Sequence, residues 1–337
     1  MCIRDRHVIN LDLHGGDFAP GSVLEGATIA LSKNPAIHFK LHSTKEFQQQ
    51  YSRKFSSLFQ KSDWVQSENY ISPDLKPSEA LKKDNRKSSM SNAIAELKDK
   101  DNEITISAGN TGAMMAYATV YLRTIENISR PAIASLFPSK NHPVCFLDLG
   151  ANSECTAENL LDFAIMGSTY YQVLYPDVEC KVALLNIGSE EMKGNNLTQQ
   201  THDLLKNEKR INYQGFVEAN EITDTSNHVI VTDGFSGNIA LKTAEGVSKF
   251  ITDSLKKSLT SSLYSKILSF LLKNKFQDFK KSIDPRNFNG GIFIGVNGIV
   301  IKSHGNADSH AFANAIEFGL KCLKSDLLNK IKSNVSS

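Results

Sequence analysis

No stretch of this sequence approaches the ~20 consecutive apolar residues that carry a helix across a bilayer. Charge of one sign is missing too. The 38 Lys and Arg face 36 Asp and Glu, a formal net charge of +2, which excludes a strongly basic nucleic-acid binder and leaves local patches open. Cysteine is sparse: Cys2, Cys145, Cys155, Cys180 and Cys322 are odd in number, scattered and never spaced C-x-x-C. That pattern fits reduced thiols of a cytosolic protein and excludes a disulfide framework or a zinc site. There is no GxGxxG fingerprint and no Walker loop, so a nucleotide is not indicated. There is no internal repeat. Residues 1–6 lack the apolar core and cleavage site of a signal peptide and do not read as the opening of a core strand. We expect them to be a non-native leader, and the Ser-rich tail after Lys332 to be disordered.

What is present is an ordinary globular composition, 40% hydrophobic over 337 residues, enough to bury a large core. One local event recurs: a short apolar run, a glycine turn, then a helical pattern. Apolar runs at 7–13, 104–107, 144–149, 181–187 and 229–232 each lead to such a turn. Helical patterns follow near 22–31, 113–124, 157–172 and 197–206, and from about 239. Residues 292–301 are β-rich and 309–323 read as a closing helix. Strands that are apolar throughout are buried on both faces, and their alternation with helices predicts a mostly parallel, doubly wound α/β sheet. The stretch 255–281 differs. Leu255, Leu259, Leu263, Ile267, Phe270 and Leu271 recur at helical spacing among seven lysines and one acid. Such a helix lies on an anionic bilayer or meets an acidic protein, or else packs its stripe on the body or a second subunit.

In an open parallel sheet, ligands bind beyond the carboxyl ends of the strands, and the glycine turns are expected together along that edge. Residues 109–112 and 234–238 are the best cradles for a phosphate or oxyanion, since glycine admits close backbone approach and helix starts present N–H groups. The alternative is that these are tight turns needing glycine for geometry alone. Lys193 follows a strand and either holds a phosphate as a point charge or is a solvated loop lysine. Lys302 and His304 also follow a strand; the histidine could donate to an oxyanion, protonate a leaving thiolate, or be structural. Asp12, Asp17, Asp148 and Asp233 recur at strand ends as metal ligands or caps, without the compact His/Asp cluster a metal site needs. Cys155 stands near a helix start, a position that favours a nucleophilic thiolate, but no histidine adjoins it.

Eight motifs stand in order: D-L-H-G-G-D-F-A-P at 12–20, S-S-M at 88–90, S-A-G-N-T-G-A at 107–113, R-P-A at 130–132, L-D-L-G-A-N at 147–152, L-N-I-G at 185–188 with K-G-N at 193–195, V-T-D-G-F-S-G-N at 231–238, and G-V-N-G-I-V-I-K-S-H-G at 295–305. With these the chain resembles the PlsX-type phosphate acyltransferases from about His7 to Leu323. The resemblance implies a single three-layer α/β/α acyltransferase domain over 7–333, similar to phosphotransacetylases and isopropylmalate dehydrogenase-like folds, with an amphipathic helical segment at 250–285. It implies a homodimer without metal or other cofactor, cytoplasmic and peripherally attached to the inner face of the membrane. The implied reaction moves a long-chain acyl group from acyl carrier protein to inorganic phosphate, giving acyl-phosphate for a downstream membrane glycerol-3-phosphate acyltransferase.

On this reading the catalytic residues are Lys193, His304 and Asn238. Phosphate or substrate contacts come from Gly15, Gly16, Asp17, Ser88, Ser89, Gly109, Asn110, Thr111, Gly112, Asn152, Asp233, Gly234, Ser236, Gly237 and Lys302. Membrane or carrier contacts come from Lys256, Leu263, Ile267, Phe270, Leu271 and Lys273. Two departures stand out. Where the family reads D-A-M-G-G-D, this chain has Leu13 and His14, which would bring a titratable group to the ligand edge. The basic run before Ser88, residues 82–87, is looser than the family's. The rival readings are a short-chain phosphotransacetylase using acyl-CoA and a non-catalytic carrier-binding scaffold at the membrane.

Overall fold

In the computed structural model, which describes residues 7–84, 86–262, 272 and 290–336, the chain forms one sheet of eleven strands between two helical layers. The strands are β1 (His7–Asp12), β2 (Ile37–Ser43), β3 (Ser62–Gln66), β4 (Glu103–Ser107), β5 (Ala132–Phe137), β6 (Val144–Leu147), β7 (Lys181–Asn186), β8 (Asn212–Glu218), β9 (Val229–Val231), β10 (Gly291–Ile294) and β11 (Ile299–Lys302). Period-2 alternation sorts their side chains into two cores. Ile9, Leu11, Ile104, Ile106, Val229, Val231 and Ile301 pack into one, against α1 (Gly21–Lys33), α7 (Ala157–Leu174) and α10 (Ser309–Lys324). Ala183, Ile230 and Val300 face the other, with α5 (Ser89–Ala95) and α6 (Thr111–Leu122). The short helices α2 (Lys45–Tyr51), α3 (Ser56–Gln60) and α4 (Pro77–Asp84) fill the connections around β3 and β4, and α8 (Asn196–Asn207) joins β7 to β8.

Six helices begin where the sequence supplies a short polar acceptor. Ser88, Asn110, Thr156, Asn195, Asp233 and Asp308 each accept a backbone N–H three residues on, satisfying a donor that the helix geometry orphans. The tail expected to be disordered instead closes the chain as α11 (Leu327–Ser336), which buries Leu327, Leu328, Ile331 and Val335.

The strand order is β3-β2-β1-β4-β11-β10-β5-β6-β9-β7-β8. Neighbours are parallel except at three steps, β11/β10, β10/β5 and β5/β6. Three reversals leave the two halves running in opposite senses, because β10 and β5 interrupt the parallel run. The expectation that all the glycine turns share one edge is therefore corrected. The turns after β1, β4 and β11 project from one edge, and those after β6, β7 and β9 from the other. The two sets meet only where β10, β5 and β6 cross the centre.

The helix after β9, α9 (Gly234–Leu259), begins five residues earlier than the periodicity suggests, so the glycines at 234 and 237 form its first turn. It is about 39 Å long. Within it only Gly234 and Gly237 are buried. A Cβ at residue 234 would sit 2.6 Å from the Asn152 carbonyl, and one at 237 would overlap the Asp148 carbonyl oxygen. Further along, Gly246 has open space around it. Gly237→Ala should therefore lose about 1–3 kcal/mol by overpacking, while Gly246→Ala, in the same helix, should gain up to about 1 kcal/mol from helix propensity. Urea melts of the two variants check this; a neutral Gly237→Ala would contradict the seat described here.

Candidate active site

Two buried carboxylates at strand ends shape the turns. Asp12 accepts from Ser89 Oγ at 2.6 Å, from Ser107 Oγ at 2.7 Å and from the His14 N–H at 3.2 Å. Ser107 Oγ in turn accepts the Gly109 N–H at 3.0 Å. Asp148 accepts from the N–H groups of Ile133 (3.0 Å), Ala151 (3.0 Å) and Asn152 (2.8 Å) and from Asn152 Nδ2 (2.9 Å). Burial pushes the Asp148 carboxyl up against the opposing pull of these donors. Both aspartates are turn organisers, Asp233 is the cap of α9, and Asp17 lies exposed with its N–H donated to the Gly305 carbonyl at 2.7 Å. Among the described residues no group of three or more His, Cys, Asp or Glu could hold a metal ion.

Several expected contacts turn out to be committed to the fold. Ser88 caps α5 and Ser89 is spent on Asp12, both fully buried. Asn110 caps α6 through Oδ1 and donates through Nδ2 to the carbonyls of Pro73 (2.7 Å) and Leu75 (2.8 Å), which anchors a neighbouring loop. Asn152 donates to the Pro131 carbonyl at 2.7 Å, and its own carbonyl receives the Gly234 N–H at 2.8 Å. Gly15 and Gly109 meet back to back: a Cβ on Gly15 would stand 2.5 Å from Gly109 N. Gly16 has φ +105°, in the left-handed region open to glycine. Gly112 is pressed against Pro77. Ser236 gives its N–H to the Asp233 cap at 2.9 Å.

His14, where the chain departs from the family pattern, is held by its neighbours. Its Nε2 accepts the Thr44 N–H at 3.2 Å, and its ring stacks on Tyr70 at 4.8 Å beside Phe47 at 4.2 Å. Burial lowers its pKa, with Asp12 opposing, which suits a neutral ring accepting a hydrogen bond. In the looser basic run, Arg86 lies over the Tyr121 ring at 4.7 Å and Lys87 pairs with Glu68 at 2.7 Å. Burial and Asp148 drive the Cys155 thiol up to about 11, the reverse of what a nucleophilic cysteine needs.

The remaining candidates converge. A cavity of about 350 Å³ opens where the two half-sheets meet, lined by Thr111, Ile133, Ser135, Leu149, Gly150, Asn238, Leu241, Lys242, Gly291, Lys302, Ser303, His304 and Gly305. Thr111 stands in the first turn of α6 and Asn238 in the opening of α9, so two helix N-termini meet there. The Lys302 ammonium donates to the Ala108 carbonyl at 3.3 Å and to the Ser303 carbonyl. Those bonds occupy two of its three protons. Burial, reinforced by Lys242 and opposed by Asp17, brings its pKa down to about 8. Burial with Lys302 and Lys242 also lowers His304, against Glu245. Ile133, Leu149 and Leu241 supply an apolar wall.

Lys193 is not in this group. It is exposed on the turn after β7, which lies beyond β9 from the cavity, and its carbonyl is tied down by Asn186 Nδ2 at 3.0 Å. Lys256 is exposed on the distal part of α9. Leu263, Ile267, Phe270, Leu271 and Lys273 lie outside the described residues. The sequence reading missed Lys242, Glu245, Leu241 and Ser135. A signal exists for two of these: residues 238, 242 and 245 follow helical spacing, in a helix whose apolar periodicity begins only at about 239.

Comparison with known proteins gives the chain's family and the likeness of its fold. The model of a family described as "Fatty acid synthesis protein" matches residues 7–330. The phosphate acyltransferase of Pelagibacter ubique is 40% identical over 97% of this chain and 98% of its own length. That of Rhizobium etli is 41% identical over 97% of this chain and 94% of its own. Among solved structures, the EutD phosphotransacetylase from Staphylococcus aureus superposes with a TM-score of 0.59 at 14% identity, covering 95% of this chain and 94% of that one, a likeness of fold. The α/β fold, the ordered motifs and these relatives together make the chain a member of the fatty acid synthesis protein family, that of the phosphate acyltransferases.

Proposed function

We propose that the central cavity transfers an acyl group from the thioester of acyl carrier protein to inorganic phosphate, releasing acyl-phosphate and the free carrier. The observation that carries the reading is the meeting of Lys302, Lys242 and His304 with two helix N-termini beside an apolar wall. Such a site favours a tetrahedral anion and a neighbouring acyl thioester together. The relatives' name, phosphate acyltransferase, supports the same pairing of substrates.

The chemistry asked of the protein is modest. A phosphate oxygen attacks the thioester carbonyl, and the tetrahedral oxyanion is met by donors such as Lys302 and the Asn238 amide. A thiolate is a good leaving group, so no covalent enzyme intermediate is needed, consistent with the raised Cys155 thiol. Holding two reactants in register supplies up to ~7–11 kcal/mol of the barrier reduction.

The reading also gives the projecting helix a role. Val247, Phe250 and Ile251 are 51%, 71% and 49% exposed on α9, with Lys249, Lys256 and Lys257 alongside. We infer that a second copy of the chain covers this face and that the basic residues lie towards an anionic bilayer. Among the described residues no helix is long and apolar enough to cross a membrane.

The test is to incubate the protein with long-chain acyl-carrier protein and phosphate and trap acyl-phosphate with hydroxylamine, with acetyl-CoA as the competing donor. Acyl hydroxamate from the carrier thioester alone is expected; product from acetyl-CoA alone would favour the phosphotransacetylase reading, and none from either the scaffold. Lys302→Met, which keeps length and removes charge, should cut turnover on the order of 10²–10³-fold while the thermal melt stays near the parent's. The pH dependence has a definite sign. Lys302 is protonated below its pKa of about 8, so phosphate capture should weaken, seen as a rising phosphate KM, as pH climbs through that value. A flat phosphate KM from pH 7 to 9 would contradict this role.

A further inference from the structure

A carboxylate inside an anion-binding cleft opposes its ligand, yet Glu245 stands beside this one. It lies on α9 one turn beyond Lys242 and about two beyond Asn238. Its Oε2 accepts from Lys242 Nζ at 2.8 Å. Its Oε1 faces His304 Nδ1 at 3.9 Å. An ion pair with Lys242 would account for the first contact alone. It leaves the second unexplained, because His304 belongs to a different element, the loop after β11.

We propose that Glu245 and His304 work as a pair, Glu245 orienting the imidazole so that it takes the proton of the attacking phosphate and returns it to the departing sulfur. This rests on the phosphate acyl transfer reading above. A neutral imidazole carries one proton, and the carboxylate selects the tautomer with that proton on Nδ1, which makes Nε2 the accepting nitrogen. Three charged groups face the ring: Glu245 and Lys242 from α9 and Lys302 from the end of β11. Burial and the two lysines keep it neutral, and Glu245 steadies the imidazolium once it forms. The present 3.9 Å separation is longer than a hydrogen bond, as catalytic pairs often are before substrate arrives.

The steps balance. An oxygen of H2PO4⁻ bonds to the thioester carbonyl carbon as its proton passes to Nε2. The oxyanion then collapses, the C–S bond breaks, and Nε2–H gives the proton to sulfur. The products are acyl-phosphate monoanion and carrier thiol. Glu245 is a positioning residue here and His304 the catalytic base and acid.

The experiment measures kcat and phosphate KM for the full chain, Glu245→Gln and Glu245→Asp, with the histidine resonances followed by NMR across pH. Glu245→Gln should lower kcat on the order of 10²-fold with phosphate KM unchanged or reduced, since a negative charge leaves the anion site. Glu245→Asp should recover part of the rate. The His304 pKa should fall in Glu245→Gln, because the one group raising it is gone. A kcat within twofold of the parent, a loss confined to KM, or an unmoved His304 titration would overturn the pair. If the parent itself forms no acyl-phosphate, the acyl transfer reading fails and the pair falls with it. If the parent turns over and Glu245→Gln matches it, only the pair fails.

Discussion

The seating of α9 on the Asp148 turn is the constraint on which the site depends. Asp148 is buried and gathers donors from Ile133, Ala151 and Asn152, which folds the chain after β6 into a fixed turn. Gly234 and Gly237 then lie against that turn with no room for a Cβ. They are the only buried residues of a 26-residue helix, so its first turn fixes its seat, with Ala240 and Leu241 partly buried behind it against the second core. Asn238, Leu241 and Lys242 reach the cavity because of that seat. The opposite wall is set in the same manner, by Asp12 holding Ser89 and Ser107 beneath the glycine turn that opens α6. Two carboxylates, one at the end of a strand in each half-sheet, thus frame one cleft.

Much of the fold was legible in the sequence, because buried parallel strands are short apolar runs and six of the helices begin at a polar cap. The runs at 7–13, 104–107, 181–187 and 229–232 coincide with β1, β4, β7 and β9. Strands β2, β3, β5 and β8 were missed: in β2, for example, His38, Lys40 and His42 break the apolar pattern, and His42 is buried and bonded to Asn10 at 3.1 Å. A sequence pattern also carries no sign of strand direction. The reversals at β10 and β5 depend on pairing between residues far apart, such as Ile292 with Ala134, and they decide which turns share an edge.

The candidate site was legible in its motifs and obscure in its partition. Lys302, His304, Thr111 and Asn238 reach the cavity, whereas Asn110, Asn152, Ser88 and Ser89 are consumed in caps and turn bonds. Residue type alone does not separate these two fates, since a cap and an oxyanion donor use the same amide. Burial and partner atoms do. Lys193 shows the converse: its K-G-N motif forms the turn that leads to the Asn195 cap of α8, where Gly194 adopts φ +104°. The chemistry that remains is compact. A buried lysine poised near neutral pH, a second lysine, a histidine and two helix starts surround a space of about 350 Å³.

The central claim is that this space, at the meeting of the half-sheets, holds the tetrahedral anion. Crystals soaked in tungstate, a phosphate-shaped anion with a strong anomalous signal, test it directly. An anomalous peak in hydrogen-bond reach of Lys302 Nζ and Asn238, displaced by added phosphate, is the predicted result. A phosphate-displaceable peak at Lys193 with none between Lys302 and Asn238 would contradict the account.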